Sequence, residues 1–500
     1  MKVILCILDG WGHSLEVENN AIRQASLKYN LFWDSLLQST PWSLLNASGE
    51  AVGLSNGFPG NSEVGHITIG SGRVVKQSLC RINDAIVSGM LKNNQNLLNL
   101  ISVIAKDGGD LHLMGLLSSG GVHSLLNHII YLAKFSSENN LRVKLHLFLD
   151  GRDVPPKSAI GFLEDLNKEI SDNSRIEIST ISGRYYAMDR DNNWDRTKLA
   201  YNAIIKGKGR KVNNIKKMIN IAYSLGITDE FITPFVVNGY TGAKKSDGML
   251  LANFRKDRAV QLFGAMSELD FKDNLKFFDT NKSLGMMKYL SSFNAPVIFE
   301  DIMIDNVIGE VLAKNNILQF RVAETEKYNH VTSFLNGGYD IKFPGESRMM
   351  IPSPKVISYD LCPAMSAELV TDAIVKHSKN FDLTVVNYAN PDMVGHTGNM
   401  SAAIQAVITV DRSLQRLVSY AAANNIAMLV TADHGNIEKI FNTASGDFVT
   451  SHTTNPVYFV PIGVKASKVS GGGLCDISPT VLHLLNIKKP SKMDGVSLLL

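Results

Sequence analysis

Short apolar runs and longer amphipathic stretches alternate along the whole chain. KVILCIL (2 to 8), DLHLMGLL (110 to 117), RVKLHLFL (142 to 149), RIEISTI (175 to 181), GMLLANF (248 to 254), ILQFRVA (317 to 323), DLTVVNY (382 to 388), IAMLVTA (426 to 432) and PVYFVPI (456 to 462) read as strands. Between them, segments 90 to 106, 122 to 139, 157 to 170, 194 to 206, 302 to 315, 364 to 378 and 400 to 423 carry apolar residues at helical spacing. This alternation predicts an α/β protein with largely parallel sheets and no internal repeat. Polar residues collect where strands end. Asp9 follows the first run, Asp392 follows DLTVVNY, and Asp433 with His434 follows IAMLVTA. Open α/β sheets place ligands at such ends, so one site is expected from both ends of the chain.

Composition narrows the class. A chain of 500 residues, 45% hydrophobic, suffices for more than one core. A formal net charge of +3 is too mild to imply nucleic acid, and the basic run KGKGRKVNNIKK (206 to 217) reads as a solvated surface. Cys6, Cys80, Cys362 and Cys475 are far apart and form no C-x-x-C pair, which argues against a disulfide framework and fits a reducing cytoplasm. The apolar start of the chain ends at Asp9, too early for a signal peptide, and no run approaches membrane-spanning length.

Asp392 and His396 are four residues apart, so one helical turn brings them to one side. Asp433 and His434 are adjacent, and His452 follows in SHTTNP. With Asp9 at the same edge, this mixture of carboxylate and imidazole suits manganese, zinc or cobalt better than calcium. Three carboxylates against two divalent ions leave one positive charge, which an ionised serine oxygen would neutralise. Ser62, in FPGNSEVGHITIG (58 to 70), is the candidate. Gly60 and Asn61 can take left-handed conformations, which predicts a tight turn that feeds a helix at Ser62, and a plain N-cap serine is the alternative. A cation and a helix N-terminus at the hydroxyl would make it a competent nucleophile.

Ten motifs, in order, carry a resemblance. ILDGWG (7 to 12), GNSEVGH (60 to 66), GGVHS (120 to 124), DGRD (150 to 153), GRYYAMDRD (183 to 191), NFRKDRA (253 to 259), AETEKYNHVT (323 to 332), NPDMVGHTG (390 to 398), ADHGN (432 to 436) and SHTTNP (451 to 456) closely resemble the cofactor-independent phosphoglycerate mutases. The resemblance spans nearly the whole chain and implies the alkaline phosphatase superfamily. It implies Ser62 as the phosphorylated nucleophile, with one metal on Asp392, His396 and His452 and a second on Asp9, Ser62, Asp433 and His434. His123, Arg152, Asp153, Arg184, Arg190, Arg255, Arg258 and Lys327 correspond to substrate-handling residues. Asp153 is suited to proton exchange with the 2- and 3-hydroxyls, and Lys327 to the charge on the transferring phosphoryl group. Pro391, where the family often has Ala, changes only the turn before Asp392.

The expected architecture is an alkaline-phosphatase-like phosphatase domain, residues 1–76 and 298–500, with an inserted α/β phosphotransferase domain, residues 77–297. The arginines of the insert suit the carboxylate and phosphate of a phosphoglycerate, since a guanidinium grips either in bidentate fashion. The resemblance therefore implies interconversion of 3- and 2-phosphoglycerate with two divalent ions, manganese foremost and cobalt or magnesium as alternatives, and without 2,3-bisphosphoglycerate. A cytoplasmic monomer acting on small molecules, with no nucleic-acid or membrane partner, completes the expectation. A phosphomonoesterase or phosphopentomutase is the nearest alternative, and a non-catalytic metal- or phosphate-binding protein the more distant one. Taken alone, the arginine clusters and Lys327 read as solvated turns and surface helix.

Overall fold

The structure, a computed structural model, describes residues 1–268, 275–442, 447–464 and 468–500. The chain forms two compact units, Met1–Gln77 with Met303–Leu500, and Ser78–Ile302. Each has its own hydrophobic core and its own eight-stranded sheet.

In the first unit the strand order is Glu346–Ile351, Gln319–Glu324, Leu383–Tyr388, Lys2–Leu8, Ile426–Thr431, Val457–Ile462, Ser43–Asn46 and Gly472–Gly473. The first five run parallel, and Val457–Ile462 then pairs antiparallel with both its neighbours. Helices including Ala367–His377 and Met400–Ala423 pack on this sheet, which leaves its central strands buried along their length. Strands covered on both faces need near-continuous apolar sequence, which is why KVILCIL and IAMLVTA lack polar alternation.

The second sheet runs Val297–Phe299, Ser283–Met287, Gly248–Leu251, Leu111–Leu117, Val143–Leu149, Ile176–Gly183, Phe235–Val237 and Arg210–Val212. Six neighbours are parallel, and the antiparallel pairing of Ile176–Gly183 with Phe235–Val237 ends that block. All nine apolar runs form strands. The chain re-enters the first unit after Ile302 rather than at 298, because Val297–Phe299 pairs in parallel with Ser283–Met287 and so closes the edge of the second sheet.

Candidate active site

Four adjacent parallel strands of the first unit end at one place. Lys2–Leu8 leads to Asp9, Leu383–Tyr388 to Asp392, Ile426–Thr431 to Asp433 and His434, and Gln319–Glu324 to Lys327. His396 caps the short helix Asn390–Gly395, so it lies one turn from Asp392. An antiparallel bridge between Gly435 and Thr453 brings His452 alongside.

Ser62 is the first residue of the helix Ser62–Ser71. The cap is Asn61, whose side chain accepts from the Val64 amide at 3.0 Å, so the serine hydroxyl is spared that task. Asn61 is extended (φ −149°), and the left-handed turn expected here does not form. Gly60 serves a different purpose: a Cβ there would lie 2.0 Å from the Ala47 carbonyl oxygen.

The Ser62 hydroxyl is buried among charged groups. Lys327 Nζ donates to Ser62 Oγ at 2.7 Å, to Asp9 Oδ1 at 2.7 Å and to Asp392 Oδ2 at 2.6 Å. His434 Nε2 is 2.9 Å from the same Oγ, which also lies 3.2 Å from Asp9 Oδ1. Lys327 occupies a 3-10 turn, Thr325–Lys327, and is 3% exposed, so the surface-helix reading of this lysine does not hold. Burial works against its charge, but Asp392, Asp9 and Asp433 together hold the ammonium above the ordinary lysine value.

The histidines share one orientation. Nδ1 of His396 meets the Thr450 carbonyl at 2.6 Å, Nδ1 of His434 the Gly435 carbonyl at 3.2 Å, and Nδ1 of His452 the Gly60 carbonyl at 2.8 Å. A carbonyl only accepts, so each Nδ1 carries the hydrogen and each neutral ring turns a lone pair on Nε2 inward. The Nε2 atoms of His396 and His452 lie 3.1 Å apart and 3.2 and 3.1 Å from Asp392 Oδ1. Three acceptors at one point repel one another unless a cation joins them. The Asp392 carboxylate accordingly draws the His396 imidazole above its usual pKa.

The same shortage of donors recurs deeper in the cluster. Among the described residues Asp433 Oδ2 is buried without a hydrogen-bond partner, its nearest imidazole nitrogen being His66 Nδ1 at 3.2 Å. Burial raises the Asp9 carboxyl, and its neighbours Asp433 and Asp392 add to that effect against Lys327. Burial would raise Asp392 and Asp433 as well, but Lys327 and His396 hold the first well below the ordinary range and His434 and His66 the second. Ligand atoms of Asp392, His434 and His452, and of Asp9, Asp433 and His434, fall within 4.8 Å of one another, with His434 common to both sets. Outward-tied imidazoles and under-donated carboxylates are the donor set of a divalent transition-metal site, so the residues present fit metal binding.

The second unit collects a different chemistry, again beyond the ends of four adjacent parallel strands. Leu111–Leu117 leads to His123, Val143–Leu149 to Arg152 and Asp153, Ile176–Gly183 to Arg184, and Gly248–Leu251 to Arg255 and Arg258. Arg184 is buried and donates to Asp150 Oδ1 at 2.6 Å, Asp153 Oδ2 at 2.5 Å and His123 Nε2 at 2.9 Å. Burial and this guanidinium lower the His123 pKa to about 4, so the ring is neutral and accepts. Asp257 is shared by Arg190, at 2.8 Å, and Arg255, at 3.1 Å. Arg152 is half exposed, 3.6 Å from Glu230, and Arg258 donates to the Met188 carbonyl at 3.1 Å. Burial, and then the charges of Arg184, Arg190 and Arg152, depress the Arg258 pKa. Guanidinia that destabilise one another make a place for an anion.

Every residue singled out in the sequence therefore falls in one of two clusters. Asp9, Ser62, Lys327, Asp392, His396, Asp433, His434 and His452 meet in the first unit, and His123, Arg152, Asp153, Arg184, Arg190, Arg255 and Arg258 in the second. Sequence reasoning missed Asp150 and Asp257, which orient the arginines, and Asn387 and Asn436. Asn387 donates to Asp9 Oδ2 at 2.6 Å and Asn436 to Asp392 Oδ1 at 2.7 Å. Carboxylates one or two residues from arginines in DGRD and RKDR were the available signal for the first pair; Asn436 closes the ADHGN motif, and Asn387 left no signal.

Comparison with known proteins agrees with this chemistry. A sequence profile of the Metalloenzyme superfamily matches residues 1–489. The chain is 45% identical to the 2,3-bisphosphoglycerate-independent phosphoglycerate mutase of Ehrlichia canis, covering 100% of this chain and 99% of that one. It is 46% identical to the enzyme of the same name from Wolbachia pipientis, over 100% and 97% of the two chains. Among solved structures, Leishmania mexicana phosphoglycerate mutase at low cobalt concentration superposes with a TM-score of 0.71 at 29% identity, over 100% and 97% of the two chains.

Proposed function

We infer the reaction from the premise that this chain belongs to the 2,3-bisphosphoglycerate-independent phosphoglycerate mutases of the metalloenzyme superfamily. It is an isomerase that interconverts 3-phosphoglycerate and 2-phosphoglycerate, a step of glycolysis, through a phosphoserine on Ser62. The observation that carries the reading is the Ser62 hydroxyl, exempt from helix capping and within 2.7 Å of Lys327 Nζ inside a cluster built for cations.

The ammonium of Lys327 stabilises negative charge on Ser62 Oγ and on the phosphoryl oxygens that approach it. Helix Ser62–Ser71 adds the positive end of its dipole at the same atom. Asp392, His396 and His452 hold one divalent ion, and Asp9, Ser62, Asp433 and His434 a second. Manganese suits this mixture best, with cobalt or magnesium as alternatives. When bound, these ions lower the pKa of the serine hydroxyl and neutralise the phosphoryl group.

Ser78–Ile302 then acts as the phosphotransferase domain and the remainder as the phosphatase domain. His123, Arg152, Arg184, Arg190, Arg255 and Arg258 bind the carboxylate and phosphate of the substrate, and the guanidinium forks fix its orientation. Asp153 exchanges protons with the 2- and 3-hydroxyls, and Arg184 Nη1 at 2.5 Å keeps its carboxylate in place. Retention of the glycerate during the phosphoserine stage separates a mutase from a phosphatase.

Four free cysteines support a reducing, cytoplasmic setting. No described helix is long and apolar enough to cross a membrane. We read the protein as a monomer whose partners are 2- and 3-phosphoglycerate, with no nucleic acid or membrane partner.

The test is incubation of manganese-reconstituted protein with 3-phosphoglycerate, without 2,3-bisphosphoglycerate, followed by phosphorus NMR. Appearance of 2-phosphoglycerate supports the mutase. Release of inorganic phosphate as the sole product indicates a phosphatase and overturns the reading.

A further inference from the structure

We propose that Glu438 is the positioning residue that sets both metal sites at once, an inference that rests on the metal-binding reading of the cluster. Glu438 is fully buried and lies four residues beyond His434. Its carboxylate accepts from four donors on three loops. Oε2 takes the Gly12 amide at 3.1 Å and the Asn436 amide at 2.8 Å. Oε1 takes the Thr453 hydroxyl and the Asn455 side-chain amide, the latter at 2.9 Å.

Each donor sits close to a candidate ligand. Gly12 follows Asp9 by three residues, Asn436 follows His434 by two, and Thr453 is next to His452. The backbone repeats the same junction: the Asn436 and Ile437 amides donate to the Gly10 carbonyl at 3.0 and 3.1 Å, and the Thr453 amide to the Gly435 carbonyl at 2.9 Å. Space is reserved for the carboxylate as well. A Cβ at Gly12 would lie 2.3 Å from Glu438 Cδ, and one at Gly435 2.4 Å from Oε1. The loops bearing Asp9, Asp433 with His434, and His452 thus share one buried anchor. Oε2 serves the loops of one proposed ion, whereas Oε1 reaches the loop that supplies His452 to the other.

A carboxylate is the group that can do this. Four donors need four acceptor lone pairs, and an ionised carboxylate offers them on two oxygens. Glutamine keeps the shape, but its NH2 group, turned towards Thr453, whose hydroxyl can also accept, would spare the bonds to Gly12 and Asn436. Methionine fills a similar volume and offers none of the four donors an oxygen, so Glu438→Met should release all three loops without leaving a large cavity.

The experiment uses the full chain and Mn2+ alone as the probe. In metal-free protein, hydrogen exchange at the Gly12 and Asn436 amides should speed up at least ~10-fold together in Glu438→Met, which removes the acceptor of both. Mn2+ titration, read from the free-ion EPR signal, should show both ions weakened by about 10- to 100-fold, the range for loss of groups that orient metal ligands. Unchanged exchange, or a change in one ion's affinity alone, overturns the proposal. If Glu438→Met does not fold, Thr453→Val decides. Removing one donor at Oε1 should weaken the ion on Asp392, His396 and His452 and spare the other, and equal effects or none overturn the assignment. If the parent protein binds no Mn2+, the metal reading falls, and the exchange measurement alone judges the anchor.

Discussion

At the scale of single residues, the site depends on which side chains are left free to react. Asn61 takes the capping duty, so Ser62→Ala removes the proposed nucleophile and leaves the helix start intact. Turnover should vanish while the circular dichroism spectrum and melting temperature stay close to the parent's, and substantial mutase activity would remove Ser62 from its role. Asp153→Asn keeps the volume but loses the base. Its kcat should fall about 100-fold or more with metal affinity preserved, since general acid-base groups contribute on that order, and a near-normal kcat would refute the assignment. Of the candidate ligands, Asp9, Asp392, Asp433 and His434 were legible because each follows an apolar run, His396 because it lies four residues from Asp392, and His452 only as a further imidazole in SHTTNP. Lys327 was not legible from pattern: AETEKYNH has helical spacing, whereas the chain makes a 3-10 turn and then a π-helical turn at His330–Phe334. Only the family resemblance singled out that lysine, because nothing local announces that three distant carboxylates will surround it. Asn387 lies inside an apolar strand and lacks even that indication.

At the scale of elements, long apolar runs and long amphipathic helices were readable, and Met400–Ala423 and Trp194–Lys206 match their sequence ranges at both ends. Short strands such as Arg210–Val212, Phe235–Val237 and Ser43–Asn46 were not, because three or four residues show no period and owe their conformation to the neighbour they pair with. Packing also creates pH dependence that sequence does not display. His128, on the helix Leu126–Glu138, bonds Asn83 Oδ1 through Nε2 at 2.7 Å, while its buried Nδ1 has no partner among the described residues. Burial lowers its pKa to about 4. Between that value and the ordinary 6.5 the unfolded chain binds the proton and the folded chain does not, so stability is full above about 6.5 and falls as the pH drops towards 4. Glutamine can keep the bond to Asn83 without titrating. Relative to the parent, His128→Gln should gain roughly 2–3 kcal/mol between pH ~7.5 and ~4.5. Denaturant unfolding at the two pH values measures this, and parallel losses in both proteins would show that His128 is not the group responsible.

At the scale of the whole molecule, two sheets with separate cores divide the chemistry: the cation cluster belongs entirely to Met1–Gln77 with Met303–Leu500, the arginine cluster entirely to Ser78–Ile302. Ser78–Ile302 is continuous in sequence and owns its core, so residues 78–302 expressed alone should fold cooperatively. Metal provides a way to tell the units apart. An ion that binds only the folded state stabilises it by RT ln(1 + [L]/Kd), about 2.7 kcal/mol per site at a hundredfold excess over Kd. In calorimetry of the full chain, excess Mn2+ should raise the transition of the unit that holds Asp9, Asp392 and Asp433. The isolated 78–302 segment should melt at one temperature with or without the ion, because its carboxylates at the cluster are already paired with arginine. It should instead respond to phosphoglycerate, whose two anionic groups match guanidinia that otherwise repel one another. A metal-dependent shift in the isolated segment, or none in the full chain, would contradict this partition.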